Sequence, residues 1–148
     1  MPGRPILLIE DDPNDEALVR RALASSRVGN AIVVARDGAE ALDYLFALGD
    51  FKDRDLHDQP AVVLLDISLP KIDGFEVLRQ IRADPVTKML PVVLLTSSQR
   101  QSDVLSGYGA GANAYVVKPA DLGRFIEATQ ELGRFWTKLN EQPPPVTD

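Results

Sequence analysis

There is no cysteine in the chain, one histidine and one tryptophan. Without thiols it has no disulfide scaffold, no Cys-ligated zinc or iron–sulfur site and no thiol nucleophile, a composition compatible with a reducing compartment. The single histidine, His57, lies in a polar loop and is assigned no role. No run approaches the roughly 18 apolar residues of a membrane span. The opening MPGRPILLIEDD turns acidic too quickly for a secretory signal. Cations are also in the minority: 16 Lys and Arg against 22 Asp and Glu leave a net charge of −6. That argues against a nucleic-acid or anionic-membrane binder, since both need clustered positive charge. A soluble cytoplasmic protein is the expectation, and 148 residues with 45% hydrophobic content suffice for one full core and little more.

What is present is an alternation of short apolar runs and helical patterns. Runs at 5–9, 31–35, 61–65, 92–95 and 114–117 read as strands, the first of them buried on both faces. Asp12-Pro13 followed by Asp15 and Glu16 has the capping side chain, first-turn proline and acids of a helix start. That helix should run to Ser25 or Ser26 with Ala17, Leu18, Ala22 and Leu23 inward. Gly38 to about Gly49 puts Leu42, Leu45 and Phe46 on one face, and Gly74 to about Ala83 does so with Phe75, Leu78 and Ile81. The segment 98–111 is the weakest helix and is expected to be mobile, because interior glycines such as Gly107 and Gly109 cost up to about 1 kcal/mol each. A final helix starts at Asp121 and stops before Gln142, ahead of the Pro-rich tail. The polar stretch 49–60 is longer than an ordinary helix-to-strand loop and predicts a surface insertion. Five strands alternating with five helices predict an α/β fold with a doubly wound parallel sheet and right-handed crossovers. The whole chain, 1–148, is expected to be one domain with its core at about 5–140, a tail at 141–148 and no effector domain.

In such a sheet the carboxyl ends of the strands share one edge, where ligands bind. The stretch AVVLLDISLPKIDG, 61–74, ends an apolar run abruptly in Asp66, a costly place for a carboxylate unless it is paired, hydrogen-bonded or metal-bound. By itself Asp66 could equally be a loop cap. The other strand ends supply Glu10, Asp11, Thr96 and Lys118, so three acids, a hydroxyl and a cation meet on one rim. Carboxylate oxygens of this kind suit Mg²⁺ or Mn²⁺, which leave coordination positions for phosphate oxygens.

These residues carry a resemblance to the receiver domain of two-component response regulators. The family has an acidic pair after its first strand, an Asp after the third, Thr or Ser after the fourth and Lys-Pro after the fifth; all are present here. The resemblance implies a flavodoxin-like, chemotaxis-receiver-like (βα)5 fold with strand order 2-1-3-4-5. It makes Asp66 the acceptor of a phosphoryl group from a sensor histidine kinase, with Lys118 and Thr96 on the phosphoryl oxygens. Glu10, Asp11, Asp66 and the backbone carbonyl of Ser68 would hold Mg²⁺ or Mn²⁺, with Asp12 outside that set. Thr96 and Tyr115 would form the switch, and Lys118-Pro119 resembles the family's cis peptide. Ala120 departs from the bulkier residue usual after that proline.

Output should come by association. Leu122, Phe125, Thr129, Leu132, Trp136 and Leu139 step by three and four, a heptad seam. A helix of about 19 residues outruns a five-residue strand, roughly 28 Å against roughly 17 Å. Phe135, Trp136 and Leu139 are therefore expected to overhang and form a homodimer or partner interface. The long loop, the aromatic last helix and the missing effector resemble the short response regulators of bacterial phytochromes, implying a phytochrome-type kinase as donor. A haloacid-dehalogenase-like phosphatase would want a second Asp where Ser68 stands. A flavodoxin-like cofactor binder would want a phosphate loop in place of Glu10-Asp11-Asp12, and a non-phosphorylated pseudo-receiver would lack part of the motif set.

Overall fold

The five apolar runs pair into one parallel sheet of order β2-β1-β3-β4-β5 in the computed structural model, which describes residues 3–145. The strands are β1 (Ile6–Ile9), β2 (Ile32–Ala35), β3 (Val62–Leu65), β4 (Val92–Thr96) and β5 (Ala114–Val117). Helices α1 (Pro13–Ser25), α2 (Gly38–Phe46), α3 (Gly74–Ala83), α4 (Gln101–Ala110) and α5 (Leu122–Arg134) connect and cover them. Residues 146–148 of the predicted tail lie outside the described part.

Alternation along the central strands splits the apolar side chains between two cores. Leu7, Ile9, Val63, Leu65 and Leu94 face α2 and α3, where Leu45, Leu78 and Ile81 are fully buried. Ile6, Leu8, Leu64, Val93 and Leu95 face α1 and α5, with Val19, Leu23 and Phe125. Each such burial contributes roughly 1.5 to 3 kcal/mol, so the three central strands are the most firmly held part of the fold. Register then sets the functional edge. Ile9 lies beside Ala35 and Leu65 and Thr96 beside Val117, so Glu10, Asp66 and Lys118 leave their strands at about the same height.

Two expectations need correction, and two others gain a physical basis. In α1 the inward set is Val19, Ala22 and Leu23; Ala17 is exposed, since the helix starts at Pro13 and its buried stripe is turned by one position. Helix α4 forms in spite of its glycines because one of them is required by packing: a Cβ on Gly107 would lie 2.6 Å from Leu94 Cδ1 and 3.2 Å from the Tyr115 ring. The 49–60 insertion is fastened down. Phe51 packs edge-on against Tyr44 with centroids 5.2 Å apart, Arg54 lies over the Tyr44 ring at 3.8 Å and donates to the Tyr44 carbonyl, and buried Gln59 donates to the Leu45 carbonyl at 2.9 Å.

The second correction concerns the chain's last helix. Leu122 is 53% exposed and takes no part in the seam, and past Arg134 the backbone widens into a π-type turn over Phe135–Leu139, closed by the Asn140 N–H on the Phe135 carbonyl at 2.7 Å. Trp136 does not overhang. It packs on the α1/α5 core with Leu132, because the last turn of α1, rather than the sheet, covers this end. The approach is close enough that a Cβ on Gly133 would sit 2.5 Å from Leu23 Cδ2, and Gln130 donates to Ser25 Oγ at 2.7 Å. Phe135 and Leu139 stay outside at 46% and 77% exposure.

Candidate functional site

Backbone ladders place the strand-end residues. The Glu10 N–H donates to Ala35 O at 3.0 Å, the Asp66 N–H to Ile9 O at 3.1 Å and the Lys118 N–H to Thr96 O at 2.7 Å. The three side chains therefore rise from adjoining positions on one edge. Below Asp66, Gly74 opens α3 so tightly that a Cβ there would lie 2.5 Å from the Asp66 carbonyl oxygen. Asp73 caps the helix through the Glu76 N–H at 3.1 Å, so the Asp73-Gly74 pair seats the loop against the site.

At the centre is Lys118, whose side chain is 9% exposed. Its ammonium donates to Glu10 Oε1 at 2.6 Å, Asp15 Oδ2 at 2.7 Å and Asp66 Oδ2 at 3.0 Å. All three ammonium hydrogens are thus spent on carboxylates. Asp66 Oδ1 accepts from the Ser68 N–H at 3.0 Å, which fixes the carboxylate plane; the Ser68 side chain points to solvent. Glu10 is 3% exposed and its second oxygen accepts from the Asp12 N–H at 3.3 Å. Asp12 itself caps α1 through the Asn14 N–H at 2.8 Å, so its place outside the acidic set agrees with the expectation.

Charge and burial oppose each other here. Burial pushes the Glu10 carboxyl up to about 7, against the pull of Lys118 and with a further push from Asp66. For Lys118, burial works against the ammonium, but the bonds to Asp15 and Glu10 and the charge of Asp66 outweigh it and hold the pKa above the ordinary lysine value. One cation is shared among more carboxylates than it can neutralise. Glu10, Asp11 and Asp66 each bring an oxygen within 4.8 Å of the others, a hard-oxygen donor set with excess negative charge that fits a divalent cation.

Thr96 is buried at 1% exposure, and its Oγ1 accepts from the Ser98 N–H at 3.3 Å. Tyr115 donates its hydroxyl to the Ser98 carbonyl at 2.9 Å, so one peptide-bearing residue links the threonine to the aromatic ring. The Lys118–Pro119 bond is trans, there being no cis peptide among the described residues; this corrects the sequence expectation and is the form X-Pro bonds ordinarily prefer. Of the strand-end residues singled out from the sequence, Glu10, Asp11, Asp66 and Lys118 are brought together, and Thr96 ends the adjoining strand, its carbonyl accepting from the Lys118 N–H. Asp15 was missed: its place in the first turn of α1 has a sufficient explanation in helix capping and dipole, and only the α1–β5 juxtaposition reveals its second partner.

A five-stranded sheet of order 2-1-3-4-5 with acids and a buried lysine on its carboxyl edge is receiver architecture, and the chain belongs to the response regulator receiver domain family, whose model matches residues 6–130. Among its relatives, the response regulator Rcp1 of Synechocystis sp. is 36% identical over 142 residues, 96% of this chain and 95% of Rcp1. The manganese-bound form of Rcp1 matches with a TM-score of 0.87 at 34% identity, covering 95% of this chain and 99% of that one. The phosphorylated cyanobacterial phytochrome response regulator RcpA gives a TM-score of 0.89 at 36% identity over the same shares, 95% and 99%. The bacteriophytochrome response regulator RtBRR is 51% identical with a TM-score of 0.76, covering 97% of this chain and 86% of that one. The likeness to the short regulators of phytochromes expected from the sequence therefore holds, and the chain is of two-component signalling type. No described helix is long and apolar enough to cross a membrane.

Proposed function

We propose that this protein is a single-domain, cytoplasmic phosphorylation switch whose phosphoacceptor is Asp66. The observation that carries this reading is Asp66 at the end of β3, its side chain 11% exposed, with Lys118 Nζ 3.0 Å from one oxygen and the Ser68 N–H on the other. A carboxylate so held is paired with a cation and fixed in orientation, which suits it to act as a phosphoryl nucleophile. One Asp66 oxygen attacks phosphorus while the bond to the donor breaks: the P–N bond of a phosphohistidine, or the P–O bond of acetyl phosphate with acetate as leaving group. The product is an acyl phosphate on Asp66, hydrolysed when water attacks phosphorus and releases inorganic phosphate. Phosphoryl transfer needs positioning and charge stabilisation more than acid–base chemistry. Lys118 and the Thr96 hydroxyl supply it from the protein. Bound Mg²⁺ or Mn²⁺ would supply further neutralisation of the negative charge; Glu10, Asp11, Asp66 and the Ser68 carbonyl would hold it.

The switch runs through Thr96 and Tyr115. A phosphoryl group adds close to two negative charges and three acceptors, drawing the Thr96 hydroxyl away from the Ser98 N–H and thereby loosening the residue that holds Tyr115. The donor is a sensor histidine kinase of phytochrome type, a reading supported by likeness to RcpA and RtBRR. Output is homodimerisation through the C-terminal helix region, with Phe135 and Leu139 as the contact. Trp136 supports them from beneath, edge-on to Phe135 at 4.9 Å. Acetyl phosphate with Mg²⁺ should label the wild type and leave Asp66→Ala unlabelled, and light scattering on the same samples should find a dimer. Equal labelling would remove Asp66 as acceptor; a monomer in both states would remove the dimer output.

A further inference from the structure

We propose that Asp15 is a positioning residue that competes with the phosphoryl group for the Lys118 ammonium and so sets how readily Asp66 takes a phosphoryl group and how long it keeps it. This rests on Asp66 as phosphoacceptor and deepens that reading. The ammonium has three hydrogens, and Glu10, Asp15 and Asp66 take one each at 2.6, 2.7 and 3.0 Å. Once Asp66 is esterified, the donor that served it passes to a phosphoryl oxygen. A second donor for the three phosphoryl oxygens becomes available only if Glu10 or Asp15 lets go. Glu10 is 3% exposed, so water cannot receive its carboxylate when the ammonium leaves, and only a bound divalent cation would compensate the loss. Asp15 is 26% exposed and sits in the first turn of α1, where water and the positive end of the helix dipole receive a released carboxylate. Asp15 is accordingly the partner that yields. While it stays, it withholds one donor and keeps a negative charge within one lysine's reach of the incoming dianion. Both effects favour the unphosphorylated state.

The full chain should be compared as wild type, Asp15→Asn and Asp15→Ala, in saturating Mg²⁺. Two readings are needed: the rates of gain and loss of the phosphoryl group from acetyl phosphate, and the affinity for beryllofluoride, which involves no covalent phosphoryl step. Both variants should gain the group faster, lose it more slowly and bind beryllofluoride more tightly, by about threefold to tenfold, as fits one partly exposed charge-assisted hydrogen bond. Asparagine preserves the shape of aspartate, so agreement between the two variants assigns the effect to charge rather than packing, and thermal unfolding of Asp15→Asn serves as the folding control. Unchanged rates and affinity, or slower gain with weaker beryllofluoride binding, would overturn the proposal; the second result would make Asp15 an anchor that helps Lys118 reach the phosphoryl group. A wild type that acetyl phosphate does not label would instead overturn the reading of Asp66, and this inference with it.

Discussion

Two cations work at opposite ends of the sheet. Lys118, at the carboxyl edge, faces three carboxylates. Arg82, at the amino edge, faces none among the described residues: its guanidinium donates to the carbonyls of Gly111 at 2.8 Å, Lys88 at 3.0 Å and Leu90 at 2.7 Å and to Asn113 Oδ1 at 2.9 Å. Its acceptors are neutral. Arg82 ties the end of α3 to the loop before β4, the end of α4 and the start of β5, and it satisfies carbonyls that would otherwise lie unpaired. The opposite pKa directions express the contrast, since acids hold Lys118 up while burial without any acid pushes Arg82 down. A cation surrounded by fixed dipoles can only hold a structure together. A cation surrounded by surplus carboxylates can exchange partners when a phosphoryl group or a metal changes the local charge.

The strongest test of that contrast removes each cation with an unbranched apolar residue. Lys118→Met should lower the rate of phosphoryl gain from acetyl phosphate by about 100-fold or more, the scale for losing one preorganised charge donor. Arg82→Met should leave that rate within about twofold. Its cost should fall on folding, about 2 to 4 kcal/mol for several lost hydrogen bonds to partly buried carbonyls, read by urea denaturation. If Arg82→Met slowed labelling as Lys118→Met does, at a temperature where both are folded, the division between structural and exchangeable cations would collapse.

A smaller effect concerns pH, and only the Lys118 end should show it. The Glu10 carboxyl is pushed up to about 7, so below that value it carries a proton which a divalent cation must displace. Mg²⁺ affinity should therefore climb with pH by up to about tenfold per unit until about pH 7 and level off above it. Calorimetry in buffers of different ionisation enthalpy would count the released proton. Affinity that is flat from about pH 6 to pH 8 would contradict the shift, and with it the dehydration of the Glu10 carboxyl that is its leading cause.

The same contrast explains what could be read without coordinates. Glu10, Asp66, Thr96 and Lys118 were legible because each polar residue interrupts or directly follows an apolar run, and the alternation of elements dictates that such ends meet. Arg82 was not, since its partners are mostly backbone carbonyls, which leave no trace in sequence, and an arginine in a last helical turn looks like a dipole partner. Asp15 was hidden for the mirror-image reason, an acid in a first turn. Trp136 shows a third limit: three-and-four spacing identifies an apolar face but not whether its partner is another chain or, as here, the end of α1. Gly107 shows a fourth, because a residue that lowers helix propensity can be the one the packing demands.

The smallest expected effect comes from making the amino edge resemble the carboxyl one. Asn113 is exposed and its Oδ1 already accepts from Arg82 Nη2 and from the Val92 N–H at 2.8 Å, so Asn113→Asp keeps the geometry and adds one negative charge opposite the guanidinium. At the carboxyl edge such a charge is dehydrated and felt strongly. At the amino edge, water reaches the new carboxylate, and an exposed ion pair is worth only about 0 to 1 kcal/mol. That gain should largely disappear in about 1 M salt, where screening acts over roughly 3 Å, and phosphoryl gain on Asp66 should not change. Urea titrations at low and high salt decide the matter. A stabilisation above about 2 kcal/mol that survives the salt would mean the Arg82 pocket is as dry as that of Lys118, and the difference between the two ends would then lie in which acceptors are present rather than in how far water is excluded.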